Sequence, residues 1–276
     1  MPAPDRHVGP VVVGVVDDRP SVVLYGLDEA ARLGAPVRLV HCYAALAGDL
    51  YFGPDPDETV RAAATEVLAR AREVVDESGH ELHVEYVLVR GEPGPCLVQE
   101  AMTAQVVVVG AADGVGWLEW MVGGDLSGHL ALRAACPVVV VPSAERPEAP
   151  SGGVVLASDG DASTAGPLRY GLEQAGLRGE SLHVLHAAGE TTSQRPGAVP
   201  SDAPAAAVDV EPSHLRVDEV DACLEATGNA SLLVVRRPHG HGLAFALTRP
   251  VAVLVLPAAR CPVAIVPDDY GSAPAH

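Results

Sequence analysis

The sequence predicts two tandem α/β domains, each built on a five-stranded, doubly wound parallel sheet covered by helices on both faces. Short Val-rich runs alternate with amphipathic helical segments, a pattern typical of buried parallel sheets. The string ACPVVVVP at residues 135–142 recurs as RCPVAIVP at 260–267, and VVGVVD at 12–17 recurs as VVLASD at 154–159. Such self-similarity indicates two copies of one domain, which we place at 1–145 and 146–276.

In the first copy, five strands alternate with helices. The predicted strands lie near 11–16, 36–42, 83–89, 106–109 and 138–141, and the predicted helices lie near 22–33, 58–78 and 95–103, with one more after Gly124. Gly34 should end the first helix, because glycine readily adopts the left-handed backbone of a C-cap. The buried face of the long second helix is predicted to comprise Val60, Ala64, Val67, Leu68, Ala71 and Val75.

The second copy repeats this layout in a shortened form. A strand, a helix and a second strand are repeated up to about residue 187, further strands are expected at 232–235 and 263–266, another lies somewhere in 208–217, and a short helix is expected at 218–227. Residues 189–204 replace the long second helix with a Thr-, Ser-, Pro- and Gly-rich segment that we expect to be flexible. The two domains join across 143–153, which is rich in Pro, Glu and Ser.

Composition excludes several classes of function. With 36 acidic and 18 basic residues the formal net charge is −18, and every basic residue is Arg. Phosphate backbones would be repelled, so nucleic acid is not expected as a partner. No apolar run is long enough for a membrane span, and residues 8–16 fit a first strand better than a signal peptide. Five cysteines without a close pair fit free thiols in a cytoplasmic protein: Cys42, Cys96, Cys136, Cys223 and Cys261.

A ligand crevice is predicted at the carboxyl ends of strands one and four. In doubly wound sheets the winding reverses there, so the two following loops diverge. Asp17 follows strand one, and a glycine-rich stretch begins at Gly110 after strand four. Glycines let backbone N–H groups approach a phosphate, and the N-terminus of the helix after Gly124 favours negative charge. The alternative is that these glycines only turn a surface loop.

Several strings together resemble the universal stress protein family. They are VDDRPS at residues 16–21, LDEAARLGAPVRLVH at 27–41, the Val-rich strand that runs into Gly110, and CPV at 136–138. The resemblance covers residues 8–142 and, less closely, 153–268. It implies a Rossmann-like fold of the adenine nucleotide alpha hydrolase type in each domain. Family members that bind ATP carry G-x2-G-x9-G-(S/T) after strand four, and many others lack this motif and bind no ATP.

Carried over by position, the resemblance implies a candidate adenine-nucleotide site in the first domain. Its second glycine is Gly114 if the loop holds one inserted residue, and Asp125 stands where ATP-binding members have Ser or Thr. A carboxylate there would face the phosphates, which weakens the expectation of an ATP site. Counting positions this way gives the following candidate cofactor-binding residues: Val15, Asp17, Cys42, Gly110, Gly114, Gly124, Asp125 and Ser127.

The second domain departs further from the motif, and no cofactor is expected there. Asp159 is retained, but the loop positions carry Arg236, His239, Arg249 and Pro250. With Arg237 and His241, these residues could form a small basic pocket for an anion, although a solvated turn is favoured. The two histidines lack further ligands at zinc-like spacing, so no metal site is expected.

Other candidate sites are weaker. His129 lies near Ser127 without an evident third partner, so no catalytic triad is predicted. Trp117 and Trp120 could cover a ligand or anchor the loop, and we favour the anchor. Cys136 and Cys261 are expected to be small buried hydrophobes.

We therefore expect a cytoplasmic stress-response regulatory or binding protein rather than an enzyme. ATP or another adenine nucleotide is the expected ligand of the first domain. The alternatives are a weak ATPase in the same crevice and a nucleotide-free structural adaptor. The resemblance implies that the two domains pair within the chain through their Val-rich fifth strands. Association of two chains and an unidentified protein partner are left open.

Overall fold

The computed structural model describes residues 9–15, 19–44, 56–111, 126–143, 152–158, 165–186, 210–213, 224–238 and 255–272. By internal contacts the chain divides into two compact units. Residues 1–112 and 123–141 form the first unit, and residues 113–122 and 142–276 form the second.

The first unit contains a five-stranded parallel sheet. Its strands are β1 (Val11–Gly14), β2 (Val37–Tyr43), β3 (Val84–Arg90), β4 (Val106–Gly110) and β5 (Val138–Val141). They lie in the order β3-β2-β1-β4-β5, and each neighbouring pair is parallel. The chain therefore winds away from β1 in one direction through β2 and β3 and in the other through β4 and β5. This arrangement confirms the predicted doubly wound sheet.

Four described helices cover this sheet: α1 (Pro20–Leu33), α2 (Pro56–Glu77), α3 (Pro93–Glu100) and α4 (Leu126–Arg133). Helix α1 packs with α2, and α3 packs with α4. The connections through α1 and α2 run in one direction along the sheet, and those through α3 and α4 run in the opposite direction. Because such connections are right-handed, the two pairs of helices lie on opposite faces of the sheet.

Helix α1 begins earlier than the sequence pattern predicts. Pro20 occupies its first turn, where the missing proline N–H removes no helical hydrogen bond, so the predicted start near residue 22 was two residues late. The predicted end is confirmed. Gly34 has φ 63° and ψ 35°, and its N–H donates to the carbonyl oxygen of Ala31.

The core of the first unit consists of small branched side chains, as the composition predicts. Strands β1, β4 and β5 are buried along almost their whole length. In α2, Ala64, Leu68, Ala71 and Val75 of the predicted apolar face are buried, whereas Val60 and Val67 are half-buried. These Val-rich strands hold the carboxyl edge of the sheet in place.

The second unit repeats the same sheet. Its strands are β6 (Val154–Ser158), β7 (Leu182–His186), β8 (Val210–Ser213), β9 (Leu232–Arg236) and β10 (Val263–Val266), in the order β8-β7-β6-β9-β10. All neighbouring pairs are parallel. Helix α5 (Ala165–Arg178) packs on this sheet, a helical turn lies at 224–227, and a 3₁₀ turn spans Leu256–Ala258. Strand order therefore confirms the duplication.

Some expectations fall outside the described residues, namely the segment 189–204, Cys223, Trp117, Trp120 and most of the join at 143–153. The expected pairing of the two domains stays a prediction. Among the residues that the structure describes, no helix combines the length and the apolar character that crossing a membrane requires.

Candidate functional site

The winding of the first sheet reverses between β1 and β4, which lie side by side. Val11, Val12 and Val13 pair in register with Val106, Val107 and Val108. The carboxyl ends of both strands therefore meet at one point of the sheet edge. This is the place where open parallel sheets of this type bind ligands.

The Arg19 side chain bridges the carboxyl ends of β1 and β4. It follows β1 in the chain, and its Nη1 donates a hydrogen bond of 2.5 Å to the carbonyl oxygen of Ala111, the residue after β4. A Cβ placed on Gly110 would lie 3.5 Å from the same Nη1 and 3.7 Å from Arg19 Cδ. The guanidinium thus lies directly beside the predicted glycine, at the carboxyl end of β4.

An arginine is unusual at the position that Arg19 occupies. It is the N-cap residue of α1, and its side chain makes no capping hydrogen bond. N-caps are normally Ser, Thr, Asp or Asn, and the helix dipole disfavours positive charge at an N-terminus. The placement of Arg19 is therefore better explained by what its side chain reaches across the crevice than by any benefit to the helix.

Gly110 is the predicted site residue that the structure places most directly. It is the last residue of β4 and pairs with Val141, the last residue of β5. A Cβ at this position would come within 3.2 Å of Val22 Cγ2 in α1. Absence of a side chain therefore lets α1 and Arg19 approach the backbone at the end of β4.

Val15 lies at the opposite side of the reversal, just after β1, and is buried. Its N–H donates to the carbonyl oxygen of Val40, and its own carbonyl oxygen lies 2.5 Å from His41 Nδ1. Because a carbonyl oxygen only accepts, His41 carries its proton on Nδ1 in this contact. Both backbone groups of Val15 therefore have protein partners, and a ligand base would share the carbonyl with His41 or displace it.

An open groove lies beside Val15 and Arg19, between α1 and α2. It has about 220 Å³ of empty volume, part of it open solvent. Apolar side chains of α2 form one wall, and the arginines contribute charge. Its lining consists of Val15, Arg19, Pro20, Val23, Val67, Arg70, Ala71 and Val74.

Cys42, another predicted site residue, is near the end of β2 and is buried. Its thiol lies beside Cys96 of α3. Burial, together with the neighbouring Cys96 side chain and the Glu100 carboxylate, raises the pKa of the Cys42 thiol to about 12. The thiol of Cys42 is thus protonated at neutral pH. The sequence did not predict its contact with Cys96.

Four predicted site residues, Asp17, Gly114, Gly124 and Asp125, lie outside the described residues, so their roles stay predictions. Ser127 lies in the first turn of α4. Over the described ranges, no cluster of three or more His, Cys, Asp or Glu side chains is arranged to hold a metal ion.

The sequence analysis did not select Arg19 as a site residue. The sequence nevertheless contains a signal for it. Arg19 is a cation two residues after Asp17, at the predicted reversal point, and it immediately precedes Pro20, which starts a helix.

The second unit has different chemistry at the corresponding point. Arg236 pairs with Val266, the last residue of β10, just as Gly110 pairs with the last residue of β5. The Arg236 guanidinium lies 3.4 Å from the Asp268 carboxylate. An arginine therefore stands where the first unit has its glycine, and a carboxylate offsets its charge. This ion pair favours the structural turn over the anion pocket, of whose members His239, His241 and Arg249 lie outside the described residues.

Comparison with known proteins gives consistent matches. The family model described as "Universal stress protein family" matches residues 8–142. Universal stress protein Rv2624c of Mycobacterium tuberculosis is 27% identical over 178 residues, which cover 63% of this chain and 64% of that protein. Universal stress protein Rv3134c of the same organism is 30% identical over 197 residues, covering 66% and 67%. The match thus spans slightly less than two thirds of the first relative's length.

Solved structures show the same fold. A universal stress protein from Archaeoglobus fulgidus DSM 4304 matches with a TM-score of 0.70 at 15% sequence identity, covering 93% of this chain and 96% of that chain. At this identity the likeness concerns the fold alone. The predicted fold class is confirmed by this match and by the sheet order of both units.

Proposed function

This chain belongs to the universal stress protein family, and from that premise we propose that it is a stress-response binding module whose first domain takes an adenine nucleotide. The nucleotide would lie at the carboxyl edge of the first sheet, with its phosphates toward Gly110 and Arg19. The proposal is one of regulated binding rather than catalysis.

The observation that carries the proposal is the position of the Arg19 guanidinium beside Gly110, at the reversal of the winding. A glycine there leaves backbone groups accessible, and a guanidinium is suited to bind phosphate oxygens through two parallel hydrogen bonds. In a protein with a net charge of −18, a cation at this point supplies attraction that an anionic ligand otherwise lacks.

Two alternatives make different demands on the same site. A weak ATPase would need groups that stabilise charge developing on the transferred phosphoryl group. The sequence contains no Lys, and Asp125 stands where the resemblance implies a hydroxyl, so we favour binding. A nucleotide-free adaptor is favoured by the Arg19–Ala111 hydrogen bond itself, because this bond spans the crevice and engages the guanidinium.

Substitution of Arg19 distinguishes an arginine that binds the phosphates from one that closes the crevice. We expect Arg19→Ala to weaken ATP binding roughly tenfold to a hundredfold, since a hydrogen bond to a charged group contributes about 1.5 to 3 kcal/mol. Binding would be measured by calorimetry on the full chain. Arg61→Ala, which removes the same charge from an exposed position of α2, is the matched control.

The opposite result would support the adaptor. If Arg19→Ala bound ATP as tightly as the wild type, or more tightly, the arginine would close the crevice rather than hold a phosphate. Release of inorganic phosphate during the same titration would favour the ATPase.

A further inference from the structure

Cys42 and Cys96 lie 54 positions apart in the sequence, yet their side chains are close enough for Cys96 to raise the pKa of the Cys42 thiol. Cys42 is in β2 and Cys96 is in the first turn of α3. Neither thiol is in a disulfide. A disulfide between these two sulfurs would have an S–S bond length of about 2.05 Å.

A second contact holds α3 in place over β2. Arg38 donates to Glu85 of β3 at 2.8 Å and to Glu100 of α3 at 2.9 Å, and these hydrogen bonds raise the pKa of the guanidinium. Arg38 and Cys42 are four residues apart on one face of β2, and Cys96 and Glu100 are four apart on one face of α3. The strand and the helix therefore face each other at two places, one with an ion pair and one with the two cysteines.

Gly91 contributes to the fit of the Cys96 sulfur. A Cβ on Gly91 would lie 2.6 Å from Cys96 Sγ, closer than real carbon and sulfur atoms approach. The Gly91 N–H donates to the carbonyl oxygen of Tyr43, the residue after Cys42. The sulfur of Cys96 is thus seated against the backbone that continues from β3, next to the end of β2.

The two thiols differ in access to solvent. Cys42 is buried, whereas Cys96 is half-buried. Protonated Cys42 is a poor nucleophile at neutral pH, because the thiolate is the reactive form. A solution oxidant would therefore meet Cys96 first, with Cys42 positioned behind it to complete the reaction.

We propose that Cys42 and Cys96 form a redox-active dithiol that hydroperoxides oxidise to an intramolecular disulfide. In the first step the Cys96 thiolate attacks a peroxide oxygen. An S–O bond forms, the O–O bond breaks, and the departing hydroxide takes a proton to become water. In the second step Cys42 loses its proton, its sulfur attacks Cys96, the S–S bond forms, and the sulfenic oxygen leaves as a second water. Two thiols are oxidised to one disulfide, and one hydrogen peroxide is reduced to two waters.

The test is peroxide oxidation of the full chain followed by alkylation and tryptic mapping. Cleavage after arginine places Cys42 in the peptide 39–61 and Cys96 in the peptide 91–133, neither of which contains another cysteine. We expect these two peptides to become linked, and alkylatable thiols to fall from five to three per chain. Dithiothreitol should restore both thiols.

Variants identify the order of attack. Cys42→Ser should leave the Cys96 sulfenic acid without a resolving thiol, so that dimedone labels Cys96 severalfold more than in the wild type. Cys96→Ser should abolish the crosslink and leave Cys42 unlabelled. Cys136→Ser, which removes a buried thiol before β5, is the matched control and should retain the 39–61 to 91–133 link.

Three results would overturn the proposal. The first is full alkylation of both thiols after peroxide treatment of folded protein. The second is a link from either cysteine to another partner in place of this one. The third is equal dimedone labelling of the wild type and Cys42→Ser, since Cys42 would then not resolve the sulfenic acid.

Discussion

Arg19 shows how one side chain can determine the chemistry of the first domain's crevice. Its position at the start of α1 does nothing for the helix dipole, and its guanidinium lies beside Gly110. The resemblance implies a second charge near the phosphates, the Asp125 carboxylate. The balance between an attractive arginine and a repulsive aspartate should therefore decide the affinity for a polyphosphate.

Replacement of Asp125 by serine should strengthen ATP binding. A carboxylate about 4 Å from a phosphate charge is repelled by roughly 4 kcal/mol at an effective dielectric constant of about 20, before screening. Serine would remove this repulsion and add a hydrogen-bond donor. We expect at least roughly a hundredfold gain in affinity, or about 2.7 kcal/mol. Trp117 and Trp120 are the two tryptophans of the chain, so intrinsic fluorescence can report the titration.

Two further variants test this assignment. Asp125→Asn removes the charge but keeps the shape and should recover part of the gain. Glu66→Ser removes a carboxylate from an exposed position of α2 and should change little. Tighter ATP binding by the wild type than by Asp125→Ser without divalent metal would mean that Asp125 does not face the phosphates.

At the scale of single elements, the seating of α1 on β1 depends on a helical glycine. A Cβ on Gly26 would lie 2.3 Å from Val13 Cγ2, and Val13 is completely buried. The second unit has Gly171 in its first helix, where a Cβ would lie 3.2 Å from the end of Leu182. The two helices are therefore packed with different tightness on otherwise similar sheets.

Alanine at these two glycines should have unequal effects. Overpacking costs about 1–3 kcal/mol, whereas alanine gains about 1 kcal/mol in helix propensity over glycine. We expect Gly26→Ala to lower the free energy of unfolding by up to about 2 kcal/mol and Gly171→Ala to be nearly neutral, since the Leu182 side chain can shift. Urea unfolding of both variants provides the measurement. Equal unfolding midpoints would contradict the close approach at Gly26.

Element boundaries were predictable where residues with fixed backbone preferences flank a strand. Strands β5 and β10 match their predicted bounds because a Cys-Pro pair precedes each and a proline follows it. Gly34 likewise marks the end of α1. The start of α1 was placed too late, since apolar periodicity does not register a proline in the first turn.

The site was predictable only in part. Its location and Gly110 follow from the rule for doubly wound sheets, which needs strand order alone. The direction of the Arg19 side chain depends on the backbone angles φ −115° and ψ 87° at the N-cap, which no periodicity encodes. The Cys42–Cys96 contact depends on where α3 lies over β2. The spacing of residues in the sequence does not predict the direction of a side chain or the position of a helix over a strand.

For the whole molecule, duplication of the fold does not imply duplication of the site. Both units have the same strand order, and Gly110 and Arg236 occupy equivalent registers. The Arg236 guanidinium is paired with Asp268. The two sheets therefore support one candidate nucleotide site, in the first unit.

Calorimetry should accordingly give a stoichiometry of about one nucleotide per chain. Gly110→Arg places in the first unit the residue that the second already has, and it should abolish binding because a side chain there meets Val22 and Arg19. Arg236→Gly is the reciprocal control and should not create a second site. Two equivalents per chain, or unchanged binding by Gly110→Arg, would place the ligand elsewhere.

The Arg19–Ala111 hydrogen bond also bears on the kinetics of binding. It joins residues 92 positions apart across the point where a nucleotide would enter. A ligand that engages Arg19 exchanges its own oxygen for that carbonyl, and if it binds only after Arg19 has left, binding passes through an open state that exists before the encounter. The frequency of opening does not depend on ligand concentration. Observed association rates should therefore rise with concentration and then level off, and the plateau would measure how often the arginine leaves the carbonyl.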